Sequence, residues 1–258
     1  MSQDKMEIRQ DLVDGVRLQT RFLQKPEREN HLPIVLVHGF SVSSDYLVPL
    51  AMEFGKDFNV FVPDLPGFGH SEDPPYTYTI HGLARSLRDW MDCLDLGQVL
   101  LLGHSLGCLV VIEFAISYPG RAPRAILASP AGDPTGHSIF RLAWRLLKDA
   151  FREPPELVYL AIHDYITTSP VRLLQTLHDM VRYPTGINLT QVLIPTLVLR
   201  GVEDTVATQA WVDEAVRLLP HGYLAVAPGA HGAHFSHAHM VGDIVQEFLN
   251  STSYLPLV

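Results

Sequence analysis

Apolar positions along this chain follow two different periods. Between residues 6 and 24 they alternate with polar ones, and Val13-Asp14-Gly15-Val16 breaks the alternation with an Asp-Gly pair. Alternation suits a half-buried strand, and Asp-Gly supplies the positive φ angles of a two-residue turn, so a hairpin is predicted. After a polar loop at 25–31 comes Leu32-Pro33-Ile34-Val35-Leu36-Val37, a continuous apolar run rich in β-branched residues. Such a run suits a strand covered on both faces. Similar runs occupy residues 59–63, 99–102, 125–128, 196–200 and 223–226. Between them, Leu83, Leu87, Trp90, Met91 and Leu94 recur at helical spacing over 80–96, and 105–118, 208–219 and 240–250 also read as helices. Buried strands alternating with helices predict the α/β class: a doubly wound, mostly parallel central sheet with right-handed crossovers.

One stretch departs from this alternation. Residues 133–191 carry helical patterns near 139–151, 156–166 and 170–181, separated by Pro154-Pro155, Pro170 and Pro184, with no strand pattern. A structureless loop of that length is improbable, so a helical insertion is expected. The chain then divides into an α/β core of residues 1–132 and 192–258 and a helical cap of residues 133–191. The cap would lie over the carboxyl ends of the strands, where open α/β sheets bind ligands.

Composition narrows the partners. The 258 residues are 47% hydrophobic and 18% charged, with a formal net charge of -9. No basic run accompanies that acidity, so neither nucleic acid nor a membrane is expected as a partner, and a small-molecule substrate is. The longest apolar stretches, 32–37 and 193–199, are strand-sized, far below the roughly 18 residues that span a bilayer. The polar start, Met1-Ser2-Gln3-Asp4-Lys5-Met6-Glu7, lacks a signal-peptide core, which makes a cytoplasmic protein the expectation. Cys93 and Cys108 are too few for a disulfide framework and read as small buried side chains.

The chemistry gathers at strand ends. Gly103-His104-Ser105-Leu106-Gly107 matches Gly-x-Ser-x-Gly, a pattern that chance supplies in roughly a tenth of chains this long. Here, however, it follows a buried strand and opens a helix, which is the strand–turn–helix setting of a strained nucleophile. Ser105 would stand at a helix N-terminus, where the dipole favours developing negative charge. A serine hydroxyl needs a base, and the base needs an orienting carboxylate. Asp204, just past the 196–200 strand, is the candidate acid, with Asp133 the alternative and Glu203 expected to point elsewhere. Past the last strand, His231, His234, His237 and His239 compete for the base. His231 comes first after the strand and is the candidate, with His234 the alternative. The spacing of these histidines fits no metal-ligand pattern, so neither a metal nor a cofactor is expected.

Taken in order, His38-Gly39-Phe40, Asp64-Leu65-Pro66-Gly67-Phe68-Gly69-His70-Ser71, the Ser105 pentapeptide and Gly201-Val202-Glu203-Asp204 resemble the motifs of the α/β-hydrolase fold family over nearly the whole chain. The resemblance implies an oxyanion hole made by the backbone N–H groups of Phe40 and Leu106, and a helical cap over residues 133–191. It also places His231 in register with the family's catalytic histidine, with His234 where an asparagine usually stands. Dehalogenases and epoxide hydrolases of this fold use an aspartate where Ser105 stands, so those reactions are disfavoured.

The expected function is that of a serine esterase, cleaving an ester-type bond of a small, largely apolar substrate through an acyl-enzyme. His104, Trp144, Tyr159, Tyr165 and Tyr183 are candidate pocket residues. Two alternatives stand beside it. One is hydrolysis of a carbon–carbon bond in aromatic ring-cleavage products, which calls for a basic cap residue such as Arg141, Arg145 or Arg172. The other is a non-hydrolytic binding protein or lyase on the same fold.

Overall fold

The computed structural model describes residues 5–28, 31–133 and 139–251. Residues 1–4 of the polar start and 134–138 of the expected insertion lie outside them. Strands β1 (Glu7–Val13) and β2 (Val16–Leu23) form the hairpin, with Val13 opposite Val16. The turn residues Asp14 and Gly15 have φ of 49° and 80°, the left-handed pair that matches a right-twisted ribbon. The remaining strands are β3 (Ile34–Val37), β4 (Val60–Pro63), β5 (Leu100–His104), β6 (Ala125–Ala128), β7 (Thr196–Gly201) and β8 (Gly222–Ala227). They build one eight-stranded sheet in the order β1-β2-β4-β3-β5-β6-β7-β8. The first two strands pair antiparallel and the other six run parallel.

The helices are α1 (Val48–Phe54), α2 (Ile80–Cys93), α3 (Leu106–Ser117), α4 (Ile139–Ala150), α5 (Pro155–Thr167), α6 (Pro170–Arg182), α7 (Thr185–Leu189), α8 (Gln209–Leu218), α9 (Ala233–Ser236) and α10 (Ala238–Asn250). Strand pleating divides the core between the two faces. Val35, Val37 and Leu101 pack on one face with Leu87 and Trp90 of α2, Leu109 of α3 and Trp211 of α8. Ile34, Leu36, Leu100 and Leu102 pack on the other with Leu50 and Phe54 of α1 and with Val241 and Phe248 of α10. Trp90 is completely buried and donates its indole N–H to Thr20 Oγ1 across 2.9 Å, which ties α2 to the hairpin.

Three observations differ from the sequence expectations. Strand β8 alternates in burial because it closes the sheet edge and is covered on one side only. The short helices α1, α7 and α9 were not expected; each spans two turns or fewer, too short for a clear 3.6-residue pattern. Cys93 is exposed, since it sits on the outer side of the last turn of α2, whereas Cys108 is buried as expected. The region between β6 and β7 is helical throughout its regular elements, as α4 to α7. Among the described residues no helix is long and apolar enough to cross a membrane.

Candidate active site

Ser105 sits between β5 and α3 with φ 53° and ψ −116°, a strained conformation for a residue with a side chain. The strain is held from both sides. A Cβ on Gly103 would collide with the Gly107 carbonyl, and one on Gly107 would collide with the Val37 carbonyl. Only glycine at both positions lets α3 fold back so tightly on β5 and β3. The Ser105 N–H bonds to the Ala128 carbonyl at 3.0 Å, which registers the turn against β6. At the start of α3, Leu106 N–H belongs to the first-turn donors that have no partner within the helix.

Asp204 and His231 meet at the ends of adjacent strands β7 and β8. Asp204 Oδ2 lies 3.1 Å from His231 Nδ1, while Oδ1 accepts the N–H groups of Val206 (2.7 Å) and Ala207 (2.9 Å). Asp204 is 4% exposed, and burial alone would raise its pKa. The charge and hydrogen bond of His231, with further bonds from Ser129 and Ala207, hold it below the ordinary carboxylate value instead. For His231, burial works to lower the pKa, but Asp204, with Asp149 and Glu153 behind it, raises it to about 9. Among the other candidates, Glu203 is exposed and Asp133 is ion-paired with Arg145 at 2.6 Å. His239 is exposed and lies 3.3 Å from Glu53. His234 is 1% exposed, lies against His104 with ring centres 4.1 Å apart and planes tilted by 47°, and burial followed by the His231 charge pushes its pKa down to about 3.

The loop after β3 passes directly beside the serine. A Cβ on Gly39 would lie 3.1 Å from Tyr46 Oη, 3.2 Å from Ser105 Cβ and 3.3 Å from His104 Nδ1, so the chain reaches Phe40 in contact with the elbow. His38 braces this loop: its Nε2 accepts the Leu65 N–H (2.9 Å), which leaves Nδ1 to donate to the Gly39 carbonyl (2.9 Å). Asp64, buried after β4, accepts the N–H groups of Ser44 and His70. Tyr46 Oη accepts the Gly39 N–H (2.7 Å) and lies 2.7 Å from His104 Nδ1, and His104 Nε2 lies 3.0 Å from the His231 carbonyl. Tyr46 carries no motif in the sequence; a buried phenol near a chemical loop shows itself only once the fold is known.

A cavity of about 620 Å³ opens over Ser105 and His231. Its walls include Phe40, Leu146, Val158, Tyr165 and Met180, so most of it is apolar. Tyr165 lines it as expected and packs edge-on against Phe40, and His104 and Tyr183 also line it. Trp144 and Tyr159 do not. Leu142, Arg145, Leu146 and Asp149, at i, i+3, i+4 and i+7, centre the cavity side of α4, with Ala143, Leu147 and Ala150 at its margins, and Trp144 lies outside it, 57% exposed. The same phase along α5 turns Tyr159 outward, 70% exposed.

Carboxylates of the segment between β6 and β7 grip loops of the core and the start of α2. Asp149 on α4 accepts the N–H groups of Thr205 (3.1 Å), next to Asp204, and of His231 (3.2 Å), the imidazole partner of Asp204. Glu153 accepts the Gly232 N–H, Asp164 the N–H and hydroxyl of Ser43 (both 2.7 Å), and Asp179 the Ile80 N–H (2.6 Å). Burial and the neighbouring Asp149 raise Glu153 to about 8, opposed by the Gly232 N–H. Sequence reasoning missed all four, because a carboxylate that accepts a backbone N–H from another segment has no local signature. Among the described residues there is no group of three or more His, Cys, Asp or Glu side chains arranged to hold a metal ion.

The topology, the strained Ser105 elbow and the order of the loops agree with the comparison to known proteins. A family model described as the alpha/beta hydrolase fold matches residues 33–174, and the chain belongs to that family. An uncharacterized protein of Mycobacterium tuberculosis is 36% identical over 111 residues, 43% of this chain and 33% of that one. The chain thus matches about a third of the length of that relative. A poly(3-hydroxyalkanoate) depolymerase of Ectopseudomonas oleovorans is 24% identical over 245 residues, 87% of each chain. Among solved structures, an enol-lactonase from Burkholderia xenovorans superposes with a TM-score of 0.80 at 19% identity, covering 94% of this chain and 100% of that one.

Proposed function

We propose that the protein is a serine hydrolase that cleaves an ester-type bond of a small, largely apolar substrate, with residues 133–191 acting as a cap domain. The carrying observation is the buried Asp204–His231 pair beside the strained Ser105, with Ser105 and His231 on the wall of one apolar cavity. In this reading His231 Nε2 takes the Ser105 proton as Oγ attacks the ester carbonyl, and Asp204 fixes the imidazole with Nδ1 protonated. The N–H groups of Phe40 and Leu106 stabilise the tetrahedral oxyanion. Collapse expels the alcohol, which leaves with the proton from His231. Water, deprotonated by the same histidine, then attacks the acyl-enzyme and releases the acid with Ser105 restored. Family membership supports hydrolase activity, and the similarity to a poly(3-hydroxyalkanoate) depolymerase, named for a polymer of ester-linked units, favours esters.

Carbon–carbon bond hydrolysis is the weaker reading, on the evidence of the arginines. Arg145 reaches the cavity but pairs with Asp133, and Arg172 is bound to the Tyr76 and Pro74 carbonyls and to Asp73. Esters of p-nitrophenol with acyl chains of increasing length, assayed beside a fluorophosphonate probe, test the proposal. Turnover and labelling are expected in the native protein and in neither case for Ser105→Ala. Retained activity in that variant would overturn it.

A further inference from the structure

Helix α4 exposes an apolar stripe that its burial does not require. Phe140 (88% exposed), Trp144 (57%) and Leu147 (52%) recur at spacings of four and three, and Phe151 (85%) continues the stripe just past the helix end. On α5, Tyr159 (70%), Ile162 (54%) and Ile166 (79%) repeat the pattern at spacings of three and four. Isolated exposed hydrophobics are ordinary, but seven large ones on two successive helices are not. Each helix thus has two apolar faces, one toward the cavity and one toward solvent.

We propose that the outer faces of α4 and α5 form an adsorption surface for an anionic lipid layer, from which apolar substrate enters the cavity. Two features select a lipid layer over a protein partner. First, Leu147, Ile162 and Ile166 are both exposed and part of the cavity wall, so the stripe runs directly into the mouth. A protein seated there would close the entrance, whereas a fluid layer both covers the stripe and supplies its solutes. Second, the charges sort by side. Asp149 of α4 is buried toward the core, while Arg141 and Lys148 of α4, and Arg152 beyond it, are exposed, three cations against the single exposed carboxylate of Glu156 at the start of α5. Lys148 Nζ lies 5.3 Å from the Trp144 ring centre, an aromatic and a cation side by side as at membrane interfaces. The net charge of -9 for the whole chain argues against such contact only on average; the α4 face has the opposite sign locally.

The test needs no catalysis, so it separates this inference from the proposed reaction. Of the three tryptophans, Trp90 and Trp211 are 0% and 3% exposed, which leaves Trp144 as the environment-sensitive reporter. Vesicles of phosphatidylcholine with and without phosphatidylglycerol are added to the native protein, and co-sedimentation and tryptophan emission are recorded. Binding with a blue shift is expected for the anionic vesicles, weakening as salt rises. Phe140→Asp combined with Phe151→Asp should cut partitioning by about tenfold or more, from the lost burial of two aromatic rings. Absence of vesicle binding by the native protein overturns the proposal whatever the variant does. So does binding that the double variant, folded by circular dichroism, leaves intact. A stable dimer in sedimentation equilibrium that shields Trp144 would assign the surface to a second copy of the chain and equally overturn it.

Discussion

Tyr46 and His104 share a 2.7 Å hydrogen bond whose direction is settled by a third group. The Gly39 N–H can only donate, so at 2.7 Å it occupies the phenol oxygen as acceptor. The His231 carbonyl, 3.0 Å from Nε2, can only accept, so the neutral imidazole carries its proton on Nε2 and Nδ1 is left to accept the phenol proton. One wire of hydrogen bonds therefore joins the Gly39–Phe40 loop, the elbow and the base loop. Burial, with His234 and His231 nearby, keeps His104 well below its ordinary pKa, so the tautomer persists at working pH.

Tyr46→Phe breaks that wire at its centre. The Gly39 N–H and His104 Nδ1 both lose their partner in a buried place, which costs about 1–3 kcal/mol of stability for each unpaired group. Denaturant unfolding should show the loss, and kcat should fall about tenfold with KM nearly constant, since in the proposed mechanism this loop positions a transition-state donor. A variant with native stability and native kcat would show that the wire positions nothing.

The pH dependence follows from His231. Held to about 9, it is protonated at neutral pH, and in the proposed mechanism only its neutral form can accept the Ser105 proton. The rate constant kcat/KM is therefore expected to rise with pH and reach half its maximum near 9. Stability runs the other way. A histidine raised from 6.5 contributes fully below that ordinary value, and the contribution is lost as pH climbs through about 9. Asp204→Asn removes the main influence that raises it, so the kinetic midpoint should move to lower pH; an unmoved midpoint would assign the limb to another group.

The elbow also makes a steric prediction. Gly107→Ala places a methyl group against the Val37 and His38 carbonyls, which belong to a central strand and its exit loop and have nowhere to retreat. Loss of several kcal/mol and poor soluble yield are expected, on the scale of overpacked cores. Gly97→Ala, with open space around the added carbon, is the control and should fold normally.

The difference between Ser105 and Asp149 shows what a sequence can disclose. Ser105, Asp204 and His231 each follow a strand whose apolar run is visible, so their shared edge could be inferred from periodicity and chain order. Tyr165, on a cavity wall, was legible from the helical pattern of the insertion. Trp144 and Tyr159 were misplaced because an amphipathic helix with a second apolar stripe gives two candidate inner faces, and composition cannot choose between them. Tyr46 reaches His104 across 58 positions of chain, Asp149 reaches Thr205 and His231 across 56 and 82, and Asp164 reaches Ser43 across 121, partners that only tertiary folding brings near.

Asp149 offers the sharpest test of that last group. Its carboxylate accepts N–H groups from the loop of Asp204 and the loop of His231, and its charge adds to the basicity of His231. The titratable groups that face His231 are Asp204, Asp149, Glu153, His104 and His234. Asp149→Asn keeps one oxygen acceptor but removes the charge, so His231 should become less basic and the limb of kcat/KM should shift to lower pH. Maximum kcat should fall, because an amide cannot accept both N–H groups as a carboxylate does. Arg172→Ala supplies the comparison: it unties α6 from residues 73–76 without touching either loop. That variant should lose stability by about 1–3 kcal/mol and expose residues 133–191 to proteolysis, yet leave the pH limb in place. If both variants shifted the limb alike, Asp149 would be acting only through the docking of its helix, and not through its charge on the base.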